Sequence, residues 1–430
     1  MFKIIKSGTD EEKEFFKKLS RRNAMDNGEI EGTVKEIIDN VRKNGDKALY
    51  EYTNKYDRVD TTKYKLKVED REIQEAYKNI DSVLLDSIRR AKKNIEKYHQ
   101  KQIEKSWIST EDNGVLLGQL YRPLEIVGVY VPGGTAPLIS SVLMNIIPAK
   151  IAGVEKIIMV TPPQKDGKIN PAILATANEA GADEIYAVGG AQAIAALAFG
   201  TQTIPKVDKI VGPGNIYVAT AKKMVYGICD IDMFAGPSEI TIIADDTANP
   251  VYVAADLLSQ AEHDPLAASI LLTPSEELTL QVRAEIESQS QYLERKEVIS
   301  KSIAEYGRAI IVDSVDEAVN IVNKIATEHL ELMVKEPFAI LGSIKNAGAI
   351  FIGSYSSEPV GDYYAGPNHV LPTGGTARFF SPLSVSDFVK KTSVISYTQK
   401  ALHKAKDDII RFAEAEGLTA HANAIKVRFE

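Results

Sequence analysis

Residues 184–215 read EIYAVGGAQAIAALAFGTQTIPKVDKIVGPGN. A short β-type run, Glu184 to Val188, meets the turn Gly189-Gly190, and an alanine-rich run, Ala191 to Ala198, has the composition of a helix. A second β-type run, Lys209 to Val211, then ends in Gly212-Pro213-Gly214-Asn215, with a further helix expected to about Tyr226. Strand, helix and strand at this spacing is the pattern of a parallel sheet covered on both faces. It extends outwards. Upstream, Glu125 to Val131 (EIVGVYV) reads as a strand, followed by Pro132-Gly133-Gly134 and a helix from about Ala136. Lys156 to Thr161 (KIIMVT) reads as the next strand, with a helix from about Pro171 to Ala180.

Downstream the alternation resumes. Glu239 to Ala244, Ser269 to Thr273, Arg308 to Val312, Leu330 to Val334 and Ala349 to Ile352 read as strands, with helices at about 249–262, 275–290, 294–305 and 315–326. The fold class is therefore α/β, with two doubly wound, Rossmann-like parallel sheets, the second beginning near residue 238. The flanks differ. Residues 1–23 form a helical segment, Glu36 to Asn54 is amphipathic with helical spacing, Tyr64 to Val68 alternates as a half-buried strand would, and Leu84 to Lys105 is a charged, solvated helix. From about 381 a tail carries a short helix, a strand at Ser393 to Tyr397 and a helix from Gln399 to Glu416.

The 430 residues are 44% hydrophobic and 26% charged, which excludes wholesale disorder and collagen-like repeats. Against 51 Lys and Arg stand 59 Asp and Glu, a net charge of -8 that argues against a general binder of nucleic-acid backbone. The single Cys229 cannot form a disulfide within the chain, nor can it supply a four-cysteine zinc site. The N-terminal MFKIIKSGTDEEKEFFKKL has no apolar h-region, and the uncharged stretch Ile185 to Pro205 is broken by glycines and glutamines. The expectation is a soluble cytoplasmic protein without membrane or nucleic-acid partners.

Six histidines are present. His99 and His403 lie in charged helices and read as surface residues. Gln260 and His263 share one face at the end of the helix 249–262, where they could hold a metal or simply form a polar helix terminus. Glu328-His329 stand at a helix–strand junction, suited to general-base work and water activation, or else a solvated helix end. The loop Ser357 to Thr373 (SEPVGDYYAGPNHVLPT) brings Asp362 and His369 to the carboxyl end of a strand, where open α/β sheets bind ligands. Composition alone gives His421, in Glu416-Gly-Leu-Thr-Ala-His421, only a surface role. The turns at Gly133-Gly134, Gly189-Gly190 and Gly212-Pro213-Gly214 could each bring backbone to a phosphate at a helix N-terminus.

Nearly the whole chain resembles the histidinol dehydrogenase family. The most specific blocks are VYVPGGTAPLISSVLMNIIPAKIAGV, VGGAQAIAALAFGTQTIPKVDKIVGPGNIYVATAKK, DMFAGPSEI, DLLSQAEHDP, ATEHLEL and GDYYAGPNHVLPTGGTAR, in that order. The resemblance implies zinc ligands at Gln260, His263, Asp362 and His421, and bases at Glu328 and His329. It implies substrate contacts at Ser238, His369 and Glu416 alongside His329 and the metal ligands, and NAD contacts at Tyr130, Gln192 and Asn215. The implied reaction is the four-electron oxidation of L-histidinol to L-histidine with two NAD, in histidine biosynthesis. The implied assembly is a homodimer whose helical C-terminal arm, 381–430, reaches into the partner's site. Residues 24–129 with 238–380 are then expected as one discontinuous α/β domain, with 130–237 inserted in it. Two rival readings remain: a related zinc- and NAD-dependent dehydrogenase of another small polar alcohol, and a dimer merely stapled by zinc.

Overall fold

The computed structural model describes residues 2–22, 28–60, 64–133, 137–234 and 236–430. Strand β1 (Lys3–Lys6) opens the chain, and β2 (Trp107–Thr110) and β3 (Leu116–Pro123) follow a run of helices. Strands β4 (Ile126–Tyr130), β5 (Lys156–Thr161), β6 (Glu184–Ala187), β7 (Lys209–Val211) and β8 (Asp230–Ile231) then alternate with helices. So do β9 (Glu239–Ala244), β10 (Ala268–Thr273), β11 (Gly307–Ile311), β12 (His329–Met333) and β13 (Ala349–Ile352), before β14 (Val389–Ser396) leads into the tail.

Both expected parallel sheets are present. The first runs β6-β5-β4-β7-β8, and the second runs β1-β11-β10-β9-β12-β13. Numbered from its first inner strand, each run has the order 3-2-1-4-5, with β1 added at one edge of the second. Strand order therefore reverses between β4 and β7, and again between β9 and β12, the kind of crevice where doubly wound sheets bind ligands. β9 and β10 are buried at every position, as a strand covered on both faces must be. The helix Pro250–Ala261 shows how the cover forms. Asn249 caps its N-terminus by accepting from the Val251 N–H, and Pro250 occupies the first turn. Its Val253, Ala254, Leu257, Leu258 and Ala261 are buried, each large side chain contributing about 1.5–3 kcal/mol.

The apolar cores show which sheet each flanking segment packs on. Val34, Ile37, Ile38 and Val41 of the helix Gly28–Asn44, and Ile88 and Ile95 of the helix Ser82–His99, share one apolar cluster with the first sheet. The described helices of residues 28–99 pack on the first sheet, to which β4 belongs, and Asn94 and His99 also meet the loop at Tyr364 and Asn368. Ile5, Phe15 and Leu19 pack instead with the second sheet, so the described residues 2–22 are a strand plus a helix attached there.

Local readings needed correction too. The helix expected over Glu36 to Asn54 breaks at Gly45, whose φ is 57°, into Gly28–Asn44 and Asp46–Tyr52. Tyr64 to Val68 is no strand. Tyr64 and Leu66 are buried, but the segment makes only an isolated bridge, Lys67 to Tyr186. The helix expected from about Ala136 runs Ile139–Ala152, and Gly134 and Ala136 lie outside the described residues. A third, antiparallel sheet, β14-β3-β2, went unread apart from part of β14. β2 is exposed throughout and β14 mostly so, leaving little hydrophobic alternation to read. The tail is consequently not a purely helical arm. Among the described residues, no helix is long and apolar enough to cross a membrane.

Candidate active site

The chemistry gathers at the amino edge of the second sheet. β9 begins at Glu239, β12 begins at His329, and Glu328 stands just before it. This corrects the expectation of a site at the carboxyl end of β13. Helix Pro250–Ala261 runs back from the carboxyl end of β9, so its last turn delivers Gln260 and His263 to the amino edge. The chain after β13 returns as well. The Glu358 N–H donates to Glu331 Oε1 at 2.9 Å, and one helical turn later Asp362 Oδ1 stands 3.8 Å from His329 Nε2. Gly361 permits this approach, because a Cβ there would lie 2.6 Å from the Phe351 ring.

Both candidate bases lean on one residue. The Glu239 N–H donates to Glu328 Oε2 at 2.9 Å, and His329 Nδ1 lies 3.1 Å from the Glu239 carbonyl. A carbonyl only accepts, so the ring proton sits on Nδ1, and Nε2 is left buried without a hydrogen-bond partner. Desolvation disfavours the imidazolium, yet Glu328 and Asp362 outweigh it and raise His329 to about 10. Burial raises Glu328 to about 7, against the pull of His329. Asp362 is buried, but His329 and His369 hold it down at about 2. Desolvation lowers both His263 and His369.

The expected side chains assemble in part. Ligand atoms of His263, Glu358 and Asp362 lie within 4.8 Å of one another. Gln260 is fully buried, and neither atom of its amide group has a partner. His369 Nε2 is likewise buried and unpartnered, and Ser238 is half-buried beside Glu239. Glu416 and His421 are not brought in: both are exposed on the tail, and His421 is outside the ligand group. Three acids went unread. Glu358 lies four residues before Asp362, Asp256 shares the Gln260 face of its helix, and Glu331 is two residues beyond His329 on β12. Helical and strand periodicity would have placed Asp256 and Glu331, whereas Glu358 gives no such signal until its loop forms a helical turn.

His99 is not a surface residue. It is fully buried, its Nδ1 2.9 Å from the Ile95 carbonyl and its Nε2 3.5 Å from the Asn368 amide. Asn368 also donates to the Met144 carbonyl at 2.7 Å, which ties the loop bearing His369 to the first sheet's helices. His403 is exposed, as expected.

The other expected contacts stand at the carboxyl edge of the first sheet, beside the reversal between β4 and β7. Tyr130 ends β4, and its hydroxyl accepts from the Gly190 N–H at 3.2 Å. Gln192 is buried in the helix Gly190–Phe199. Asn215 is exposed and caps the helix Ile216–Val225, accepting from the Tyr217 and Val218 N–H groups. Between them Gly212 has φ 112°, and a Cβ there would come within 2.0 Å of the Tyr130 carbonyl oxygen. The buried pair Lys222 and Asp232 clamps this turn: Lys222 Nζ donates to the Gly212 carbonyl at 2.9 Å, and Asp232 Oδ2 accepts from the Gly212 N–H at 2.8 Å. Such glycine-turn cradles suit a dinucleotide.

The sequence profile described as histidinol dehydrogenase matches residues 20–429. The chain is 57% identical to the histidinol dehydrogenase of Clostridium acetobutylicum, covering all of this chain and 99% of that one. It belongs to the histidinol dehydrogenase family. A second relative, the histidinol dehydrogenase of Caldanaerobacter subterraneus subsp. tengcongensis, is 58% identical over 96% of both chains. The crystal structure of histidinol dehydrogenase from Elizabethkingia anophelis superposes with a TM-score of 0.89 at 43% identity, covering 92% of this chain and 91% of that one. As a member of the histidinol dehydrogenase family, the chain is an oxidoreductase. Its membership fits oxidation of histidinol in histidine biosynthesis and is consistent with NAD and zinc.

Proposed function

We propose that the chain oxidises L-histidinol to L-histidine through L-histidinal, using two NAD and one zinc ion per site. The observation that carries this reading is the fully buried Gln260, with an unpartnered amide, beside His263, Asp362 and the Glu328-His329 pair. Oxygen and nitrogen donors of this kind fit zinc. Gln260, His263 and Asp362 would hold it together with His421 of the partner subunit. Bound zinc supplies a dication that orients the imidazole and amine nitrogens of the substrate. Ser238, His369 and Glu416 complete the substrate contacts, and Tyr130, Gln192 and Asn215 hold the nicotinamide cofactor, which accepts hydride.

His329 Nε2 takes the hydroxyl proton as hydride leaves the alcohol carbon. That requires a neutral ring, whereas Glu328 first and then Asp362 support its charge and hold it protonated in this structure. A cation held by Asp362 would weaken one of these two supports and so favour the neutral ring, with Nε2 as the base. Glu328, ionised above about 7, takes a proton from the water that attacks the aldehyde. His329 takes the hydrate's proton as the second hydride leaves. No thioester is needed, and Cys229 could not supply one readily: it is buried, and its thiol is pushed up to about 12 by desolvation and by Asp230 and Asp208.

The same reading makes the protein a cytoplasmic homodimer with exchanged tails. Ile395, Phe412, Leu418 and Val427 expose apolar surface on β14 and the tail helices, which a second copy would cover. NADH formation from L-histidinol is the test, run before chelation, after it, and after zinc is restored. A chain that reduces NAD with other small alcohols but not histidinol, or that loses no activity without metal, would sink the proposal.

A further inference from the structure

We infer that Glu239 is the positioning residue for both catalytic bases, held in place by Arg22 from the N-terminal segment, 217 residues away in the chain. This deepens the reading above and rests on Glu328 and His329 being those bases. The main chain of Glu239 contacts both of them, donating to Glu328 Oε2 at 2.9 Å and facing His329 Nδ1 at 3.1 Å with its carbonyl. One contact aims the carboxylate. The other keeps a proton on Nδ1, so that Nε2 is the nitrogen able to exchange one. Both therefore depend on where the main chain of this one residue sits.

The side chain of Glu239 supplies that placement. Its Oε2 accepts from Arg22 Nη2 at 3.0 Å, and its Oε1 accepts from the Gly374 N–H. The pair is sealed, with side-chain exposures of 0% for Arg22 and 3% for Glu239. Arg22 caps the C-terminal end of the helix Asp10–Arg21, and its Nη1 also donates to the Leu266 carbonyl at 2.7 Å, just before β10. Four segments thus converge on Glu239: the N-terminal helix, the approach to β10, the Gly374 turn after His369, and the bases. Such a buried ion pair is poor evidence of stability for its own sake, since apolar replacement is often neutral or better. Its geometry instead orients the one residue whose main-chain N–H and C=O the two bases use.

The test is the double variant Arg22→Met with Glu239→Gln, in zinc-loaded enzyme, against Arg22→Lys and against His329→Ala as control. Removing both charges leaves neither buried alone, so the double variant should fold, keep its zinc and keep its KM for histidinol. Its kcat should fall about 10–100-fold in both half-reactions, the scale of a misplaced catalytic group. Arg22→Lys, which restores charge without the guanidinium fork, should recover part of that loss. A double variant with wild-type kcat overturns the inference. So does a kcat loss matched by lost zinc or a raised KM, which would mark general damage. If the double variant does not fold, Arg22→Lys decides alone: lowered kcat at unchanged KM supports the inference, and wild-type kcat overturns it. Normal turnover by His329→Ala would remove the base assignment and this inference with it, whereas an inactive His329→Ala beside a fully active double variant would remove this inference only.

Discussion

At residue scale the chemistry turns on which nitrogen of His329 carries the proton. The Glu239 carbonyl fixes it on Nδ1, so Nε2 does the accepting. His329→Ala should lower kcat for both oxidations by about 10²–10⁴-fold, the contribution of one positioned base. Zinc content by elemental analysis should stay at the wild-type level, because the ring is a base and not a ligand. Glu328→Gln should separate the two halves. The first hydride transfer needs no water, whereas the second needs a hydrate. Single-turnover NADH formation should therefore fall more with added histidinal than with histidinol, and equal losses would argue against water activation. Gln260, His263, Glu328 and His329 were legible by spacing and neighbour. Glu358 was not, because an acid in a proline- and glycine-rich loop has no periodic signal until the loop is seen to form a helical turn. His99 misled for the opposite reason: charged neighbours on its helix hide that its own face meets the loop at Asn368.

At the scale of elements, the helix Pro250–Ala261 and strand β12 press two acids together. Asp256 and Glu331 are both buried and share a hydrogen bond. Burial raises Asp256 to about 6, and burial together with Asp256 raises Glu331 well above the carboxylate range. A carboxyl group whose folded pKa is raised favours the protonated native state. Its stabilising share is fully present below the unfolded pKa, and is lost as pH climbs through the folded value. The wild-type chain should therefore lose stability through this pair as pH rises from about 4 past 6. Glu331→Gln removes one of the two charges and keeps an acceptor for the Glu358 N–H. It should match wild type near pH 4 and exceed it in stability at pH 8. Denaturant titrations at the two pH values measure this, and a constant difference between the proteins would exclude the shared proton.

At the scale of the molecule, the proposed site calls for Glu416 and His421, and both stand exposed on the tail. Gly417, with φ 73°, ends the helix Gln399–Ala415 and starts a separate segment that could reach a second copy. His263→Asn and His421→Asn should each be inactive with weakened zinc binding. Unfolded and refolded together, they should regain activity, approaching about a quarter of wild type, since random pairing makes half the dimers heterodimers with one intact site each. If heterodimers form and no activity returns, the tails serve their own subunits and the exchange is wrong.

The sequence by itself determined the two parallel sheets, since strands buried on both faces must be written as short continuous apolar runs between helices. It also set the turns where the chain reverses and the pairs that carry chemistry, because these depend on neighbours within a few residues. Tertiary structure alone decided the rest. Residues 28–99 pack with the first sheet and not the second, since an amphipathic helix specifies that one face is buried but not against what. The antiparallel sheet of β2, β3 and β14 joins exposed strands by main-chain pairing between distant segments, which leaves little trace in side-chain pattern. The cluster of His263, Glu328, His329 and Asp362 sits at the amino edge of its sheet because a helix and a loop both run back there, a matter of direction in space that no local spacing records.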